Sequence, residues 1–113
     1  HPLEEPRLSW VEAQLRDRAG PVVAATDYIK IYADQIRPFV QNLGKRYRVL
    51  GTDGFGRSDS RENLRRFFEV NRHYVTLAAL RSLVEDKALA PQVVADAIKM
   101  YGIDPDKPNP VTV

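Results

Sequence analysis

The sequence has 113 residues and a mass of 12.8 kDa, the size of one domain, and its 43% hydrophobic content suffices for a packed core. Its 17 basic and 15 acidic residues leave a net charge of +2 and are mostly interleaved along the chain, which argues against the clustered basic face of a nucleic-acid-binding domain. The absence of cysteine excludes a disulfide scaffold, a Cys-ligated zinc site and a thiol nucleophile, and the two histidines, His1 and His73, are too few for a His-rich metal site.

The sequence also argues against export and membrane insertion. No apolar run approaches the roughly 20 residues that a membrane-spanning helix needs. The acidic, proline-containing start, HPLEEPRLSW, lacks the basic and apolar regions of a signal peptide. Together with the lack of cysteine, these features favour a cytoplasmic protein without a membrane partner.

The first elements in chain order are a lead-in, a helix and a strand. Residues 1–9 read as an extended surface segment, and Ser9 with Glu12 forms a capping-box pattern for a helix over 10–18. The apolar PVVAA at 21–25 predicts a strand that is buried on both faces, as in a parallel sheet.

A second helix is predicted from Thr26 or Asp27 to Arg37, where Pro38 ends it. Four apolar positions at helical spacing form its core-facing stripe: Ile29, Tyr32, Ala33 and Ile36. Residues 39–46 read as a turn.

Residues 47–51, YRVLG, predict a second strand, which runs into a glycine-rich loop over 52–60. Another helix begins at Asp59 or Ser60, and the spacing of Asp59 and Glu62 is that of a capping box with Asp in place of Ser or Thr.

The remaining sequence predicts a brief third strand over 68–70 and two further helices. Asn71 caps a helix over 72–86, whose apolar YVTLAAL stretch predicts burial on more than one side. Pro91 suits the first turn of a last helix, which Gly102 ends.

The alternation of helices and strands predicts an α/β fold with a proline-rich irregular tail over 103–113. Two strands and a doubtful third cannot form a well-covered parallel sheet, which typically has four to six strands. The missing initiator Met agrees with this shortage, so we expect the chain to be part of a longer polypeptide or to be completed by a partner.

The glycine-rich loop is the most informative stretch. Its backbone N–H groups, with Arg57 as a forked donor, suit a phosphate or nucleotide, and a small regulatory anion-binding module is one hypothesis. Its spacing matches neither the P-loop nor G-x-G-x-x-G. We favour the alternative of a structural loop whose glycines adopt positive φ and whose Asp and Ser residues cap the next helix.

Other candidate residues have a structural interpretation that we prefer. Asp27 and Asp53 each follow a strand, the position where acid–base groups and metal ligands gather in α/β proteins. We interpret them instead as cap and turn residues, which also occur at this position. His73 has the chemistry of a general base, although no nucleophile neighbours it in sequence. A small basic cluster comprises Arg57, Arg61, Arg65 and Arg66. It suits an acidic partner or a nucleotide, but Glu62 and Glu69 dilute it, and we prefer to interpret it as a solvated helix face.

Two long stretches carry a resemblance to a known family: GPVVAATDYIKIYADQIRPFV at 20–40 and TDGFGRSDSRENLRRFFEV at 52–70. YVTLAALRSL, PQVVADAIKMYG and IDPDKPNP agree with them, so that the resemblance covers essentially the whole chain. The sequence resembles the C-terminal end of the homodimeric bacterial pyruvate dehydrogenases, the thiamine-diphosphate-dependent decarboxylases of the pyruvate dehydrogenase complex.

The resemblance implies a partial transketolase-type C-terminal domain, a three-layer arrangement of sheet and helices that lacks strands at its N-terminal side. It implies a parent enzyme that decarboxylates pyruvate oxidatively and passes the acetyl unit to the lipoyl group of a dihydrolipoyl acyltransferase. The family binds thiamine diphosphate and magnesium in two upstream domains, and its Gly-Asp-Gly cofactor motif is absent here; Asp53-Gly54 is not that motif.

The resemblance therefore assigns no catalytic, cofactor-binding or metal-binding residue to this chain. The implied role is to complete the homodimer and to pack against the thiamine-binding domains of the same enzyme. The candidate interface is the glycine-rich loop, which consists of Thr52, Asp53, Gly54, Phe55, Gly56, Arg57, Ser58 and Asp59.

Overall fold

The computed structural model describes all residues 1–113 and contains six helices and two strands. In chain order they are α1 (Trp10–Leu15), β1 (Val22–Ala25), α2 (Ile31–Asp34), α3 (Arg37–Asn42), β2 (Tyr47–Leu50), α4 (Arg61–Phe67), α5 (Arg72–Glu85) and α6 (Pro91–Met100). β1 and β2 pair in parallel, with Val22 opposite Tyr47, and the predicted α/β fold class is confirmed.

Helices cover the two faces of this small sheet, because successive side chains of a strand point to opposite sides. Tyr47 points toward α2 and α3, and its hydroxyl donates a hydrogen bond to the carbonyl of Ala33 (2.6 Å). The next residue, Arg48, points toward α5 and donates to the hydroxyl of Ser82 (3.2 Å) and the carboxylate of Glu85 (2.8 Å). The result is the expected layer order of helix, sheet and helix.

β1 is less buried than its apolar sequence predicts. Val22, Val23 and Ala24 are only half-buried, and Ala25 is exposed. The expectation of burial on both faces is not met within these residues, since α5 packs against β1 whereas α3 packs against β2 instead.

The predicted third strand over 68–70 is wrong. Phe68 is the C-cap of α4, and Glu69 follows with a left-handed φ of 62°. The N–H of Val70 then donates back to the carbonyl of Arg65 (2.9 Å). This is a helix-terminating turn, which leaves no extended segment to pair with the sheet.

The single helix predicted from Thr26 or Asp27 to Arg37 is also wrong. The Thr26 hydroxyl caps a local turn by accepting from the N–H of Tyr28 (3.1 Å), and Asp27 pairs elsewhere. Two short helices, α2 and α3, replace the long one, and Pro38 lies in the first turn of α3. Proline is tolerated there because first-turn N–H groups have no intrahelical partner, so the predicted turn over 39–46 begins as helix.

The predicted helix caps are mostly confirmed. Ser9 and Glu12 form both bonds of a capping box on α1, at 3.2 and 2.8 Å. The Asn71 side chain accepts from two backbone N–H groups of α5, and Pro91 opens α6. Gly102 ends α6 with a φ of 62°.

At α4, of the two predicted starting residues, Ser60 is the cap. Its hydroxyl accepts from the N–H of Asn63 (3.3 Å). The Asp59–Glu62 capping box is wrong, because the Asp59 carboxylate instead accepts from the side-chain amide of Asn63 (3.0 Å).

The core is small for the length of the chain. Seven residues are buried: Val40, Tyr47, Gly51, Phe68, Ala78, Ser82 and Ala97. On α5 the buried residues are Ala78 and Ser82, while the rest of its apolar stretch is half-buried, apart from the exposed Thr76.

None of the six helices has the length and apolar character needed to cross a bilayer.

The accessible surface is correspondingly large. It is 8488 Å², whereas a compact monomer of this mass exposes about 6,300 Å². The radius of gyration is 16.5 Å, against about 13 Å for a compact domain of this length. About 2,200 Å² of surface is thus exposed beyond what a compact monomer shows.

An ion-pair network fastens α5 to the sheet. The Glu85 carboxylate lies 2.8 Å from Arg48, 3.1 Å from Arg46 and 3.1 Å from Arg81. The hydrogen bond from Arg48, reinforced by the charges of Arg48 and Arg46, lowers the pKa of Glu85 below its ordinary value of 4.5.

We predict that this network makes the fold sensitive to acid. Because the pKa of Glu85 is lower in the folded chain, the ionised carboxylate stabilises the fold above pH 4.5, and this contribution is lost as the pH falls through the folded pKa. Glu85→Gln is expected to lower the melting temperature at pH 7, measured by circular dichroism, and to reduce its further fall on acidification to about pH 3. The matched control is Glu5→Gln, which removes an exposed carboxylate of the lead-in and should change neither quantity. An unaltered pH profile in Glu85→Gln would contradict the prediction.

Candidate functional site

The candidate interface loop, residues 52–59, leaves the carboxyl end of β2 beside the segment that leaves β1. The N–H of Thr52 donates to the carbonyl of Tyr28 (2.8 Å). In return, the N–H of Lys30 donates to the Asp53 carboxylate (3.0 Å), whose other oxygen lies 4.0 Å from the Lys30 ammonium. These bonds hold the two strand-end segments together. The segments are neighbours because parallel strands have their carboxyl ends on the same side of the sheet.

Gly51 makes this close approach possible. A Cβ atom at this buried position would lie 2.8 Å from the carbonyl oxygen of Tyr28 and 2.8 Å from Cγ of Lys30. The first of these is backbone and cannot move without breaking the Thr52–Tyr28 bond. The glycine is therefore needed for space.

The far end of the loop contacts α4. The Arg57 guanidinium lies over the Phe67 ring, 4.6 Å from its centroid, in a cation–π contact. Lys107 from the tail lies 5.1 Å from the same ring centroid and donates to the carbonyl of Phe67 (2.8 Å). Phe67 thus ties the loop and the tail to one point on α4.

The tail also contacts the middle of the loop. Gly54 has a left-handed φ of 87°, and a Cβ there would lie 3.4 Å from Cα of Val111. Residues 103–113 contain no helix or strand, as predicted, yet they pack across the loop rather than extending away from it.

A cleft of about 390 Å³ lies between the loop, α4 and the end of β1. Its lining includes Asp27, Thr52, Gly56, Arg57, Asp59, Arg61 and Arg65. Inside it, Arg65 donates to both oxygens of Asp27, at 3.2 and 2.9 Å. This hydrogen bonding lowers the pKa of Asp27 and raises that of Arg65.

Each of the three candidate carboxylates predicted from the sequence accepts a hydrogen bond from another group of this chain. Asp27 is bound by Arg65, Asp53 by the backbone of Lys30, and Asp59 by Ser60 and Asn63. A divalent cation prefers several carboxylate oxygens together. The structure brings together no group of three or more His, Asp or Glu side chains that could hold a metal ion, so these carboxylates do not fit the magnesium ion of the resembled family.

The contacts favour the structural interpretation of the loop over the anion-binding one. Three arginines of the predicted basic cluster, Arg57, Arg61 and Arg65, line the cleft. Arg57 stacks on Phe67 and Arg65 is paired with Asp27, so two of the three already have partners within this chain. His73 lies elsewhere, with its imidazole stacked on the ring of Tyr101 at 4.5 Å.

The exposed apolar side chains beside the loop were not predicted from the sequence. The predicted stripe placed Ile29 and Tyr32 toward the core, but both are exposed, while Ala33 and Ile36 are half-buried. The helix begins later than predicted, and this shifts which side chains face the sheet. Phe55, at the tip of the loop, is 89% exposed.

A family model for the transketolase-like C-terminal domain matches residues 2–71 of the sequence. The chain therefore belongs to the transketolase-like C-terminal domain family.

Individual relatives extend the similarity to the whole chain. It is 58% identical over 113 residues to the pyruvate dehydrogenase E1 component of Cupriavidus necator, covering all of this chain. It is 59% identical over 111 residues to that of Pseudomonas aeruginosa and 53% identical over 110 residues to that of Escherichia coli K12, covering 98% and 97% of this chain. The chain spans 12% of the length of each of these relatives. The resemblance found in the sequence is confirmed.

We predict that the space at Gly51 is essential to the strand-end junction. Gly51→Ala should destabilise the chain by about 1–3 kcal/mol, because the added methyl group overpacks against the Tyr28 carbonyl. The measurement is urea unfolding followed by circular dichroism. The matched control, Gly56→Ala, adds a methyl group where no atom lies within 4 Å and should change stability by less than about 0.5 kcal/mol. Equal effects of the two substitutions would show that the close approach at Gly51 is unimportant.

Proposed function

We propose that this chain is a non-catalytic segment of a homodimeric, cytoplasmic bacterial pyruvate dehydrogenase. In that enzyme pyruvate is decarboxylated oxidatively and the acetyl group passes to the lipoyl group of a dihydrolipoyl acyltransferase. Support comes from identities of 53–59% to pyruvate dehydrogenase E1 components, which extend over nearly the whole chain. The role of this segment is to assemble the dimer and to pack against the thiamine-binding domains.

The observation that carries the assembly role is the uncovered surface. The excess of about 2,200 Å² over a compact monomer is of the size that large, permanent protein interfaces bury. Large apolar side chains contribute to it, including Phe55 of the interface loop. Hydration of such surface is unfavourable, so covering it stabilises the assembled enzyme.

In this proposal thiamine diphosphate and magnesium bind in domains that precede the segment. The cofactor supplies the carbanion chemistry, and protein groups orient it. The contacts of Asp27, Asp53 and Asp59 with donors of this chain support a structural rather than a cofactor-binding role for these residues.

The assignment of the cofactor predicts a simple binding result. Isothermal titration of the 113-residue chain with thiamine diphosphate and magnesium should show no saturable binding, whereas the full-length enzyme should bind the cofactor and decarboxylate pyruvate. Saturable binding by the chain alone would contradict the non-catalytic role.

The assignment of the loop predicts that Phe55 matters only in the assembled enzyme. In the isolated chain Phe55→Ala should change stability by less than about 0.5 kcal/mol, because the ring is 89% exposed there. In the full-length enzyme the same substitution should cost about 3 kcal/mol, since it removes a buried ring. Thermal unfolding of both pairs of proteins measures the difference. A small effect in both contexts would mean that Phe55 faces solvent in the enzyme.

A further inference from the structure

The tail, residues 103–113, is attached to α4 by one side chain. The Lys107 ammonium donates to the carbonyl of Phe67 (2.8 Å) and to the carboxylate of Glu69 (3.3 Å). Every other hydrogen bond of the tail is either within the tail or to the carbonyl of Ile98, which lies just before it in the chain. The attachment of the tail to α4 therefore depends on a single ammonium group.

The Lys107 ammonium lies where α4 ends. Phe67 is the last residue of this helix, and its carbonyl is one of those that have no N–H partner within the helix. A cation is favoured at this end of a helix by the helix dipole. The ammonium also lies 5.1 Å from the centroid of the Phe67 ring, and the lysine side chain is only 21% exposed. Lys107 thus has a specific binding position on α4.

Two local turns give the tail a defined shape on either side of Lys107. The Asp104 carboxylate accepts from the N–H of Asp106 (2.9 Å), and the Asn109 side chain accepts from the N–H of Val111 (3.0 Å). Turns of this kind order a chain that has no helix or strand. The position of Lys107 on α4 is thereby linked to the position of Val111.

The glycine-rich loop contacts the tail at both of these positions. A Cβ atom at Gly54 would lie 3.4 Å from Cα of Val111, and the Arg57 guanidinium lies on the same Phe67 ring that Lys107 contacts. Beyond Thr52, no backbone N–H of the loop donates to a backbone carbonyl. The loop therefore has few contacts of its own that would keep it beside α4 without the tail.

We propose that residues 103–113 form a detachable strap, attached through Lys107, that holds the glycine-rich loop against α4. When Lys107 leaves Phe67, the loop loses its contact at Gly54 and Arg57 is freed from the ring. Every contact in this inference lies within the chain, so it does not depend on the proposed function.

The burial of the tail makes it the first part to detach. None of its residues is buried, and only Ile103, Lys107 and Pro110 are half-buried. Segments with few buried apolar contacts open at a lower free energy than the core does. Because Gly56 and Arg57 of the loop line the 390 Å³ cleft, detachment of the strap also changes the lining of that cleft.

Limited trypsin digestion of the full-length protein that contains this chain tests the inference. Trypsin cleaves after Arg57 only when the loop can leave α4 and enter the protease in an extended form. Lys107→Met removes the ammonium and keeps an aliphatic side chain. It should raise the rate of cleavage after Arg57 about tenfold, because hydrogen bonds from a charged donor are lost. The substitution removes no trypsin site, since Pro108 follows Lys107 and prevents cleavage there.

Two controls separate release of the loop from general unfolding. Lys99→Met removes an exposed lysine near the end of α6 and should leave cleavage after Arg57 unchanged. Arg81 lies in the middle of α5, so cleavage after it reports unfolding of that helix. This cleavage should be equally slow in the wild-type protein and in both variants. The cleavage sites and their rates are measured by mass spectrometry.

The inference is overturned if trypsin cuts after Arg57 at the same rate in the wild-type protein and in Lys107→Met. It is also overturned if cleavage after Arg81 rises in the same proportion, because the substitution then destabilises the whole fold. A variant that lacks residues 103–113 should be cut after Arg57 at least as fast as Lys107→Met. If only this truncation accelerates cleavage, the loop is held by other parts of the tail and the attachment through Lys107 is wrong.

Discussion

The parallel pairing of β1 with β2 determines where the other parts of this chain lie. Parallel strands bring their carboxyl ends to one edge of the sheet, so the segments that follow them must meet there. Their meeting is close enough to demand glycine at position 51 and to join Thr52 to Tyr28 by a hydrogen bond. The same pairing leaves β1 with one neighbour, and a two-stranded sheet can bury little surface.

The small buried core and the large exposed surface link the fold to the proposed role in assembly. With α3 on one face and α5 on the other, the layer order of an α/β domain is present, but the core consists of only seven buried residues. Polar contacts supply part of the cohesion, notably the three arginines around Glu85 and the Asp27–Arg65 pair. Such partly exposed pairs contribute modestly, so further apolar burial is the larger source of stability available to the chain. In the proposed enzyme that burial comes from the rest of the polypeptide, including the strands that this partial domain lacks.

The acidic residues that follow the two strands make structural contacts within the chain. Asp27 and Asp53 stand where active-site carboxylates commonly stand, yet each is bound by a donor of the chain itself. The Arg57 guanidinium could bind an anion, but it stacks on the ring of Phe67 in a cation–π contact. Lys107 of the tail contacts the same ring. Loop, helix and tail therefore form one structural unit.

Short-range chemistry made several features readable from the residues alone. The capping box at Ser9, the cap at Asn71, the two apolar strands, the glycine-rich loop and the Pro91 helix start depend on groups within a few positions of one another. The long motifs likewise identified the family before any fold was known. Long-range contacts decided the rest: the division of α2 from α3, the turn at Glu69 in place of a third strand, and the outward direction of Tyr32. Near two of these features the chain bonds to distant residues: Lys30 bonds to Asp53, 23 residues away, and Lys107 bonds to Phe67 and Glu69, 40 and 38 residues away. Local periodicity carries no information about such partners.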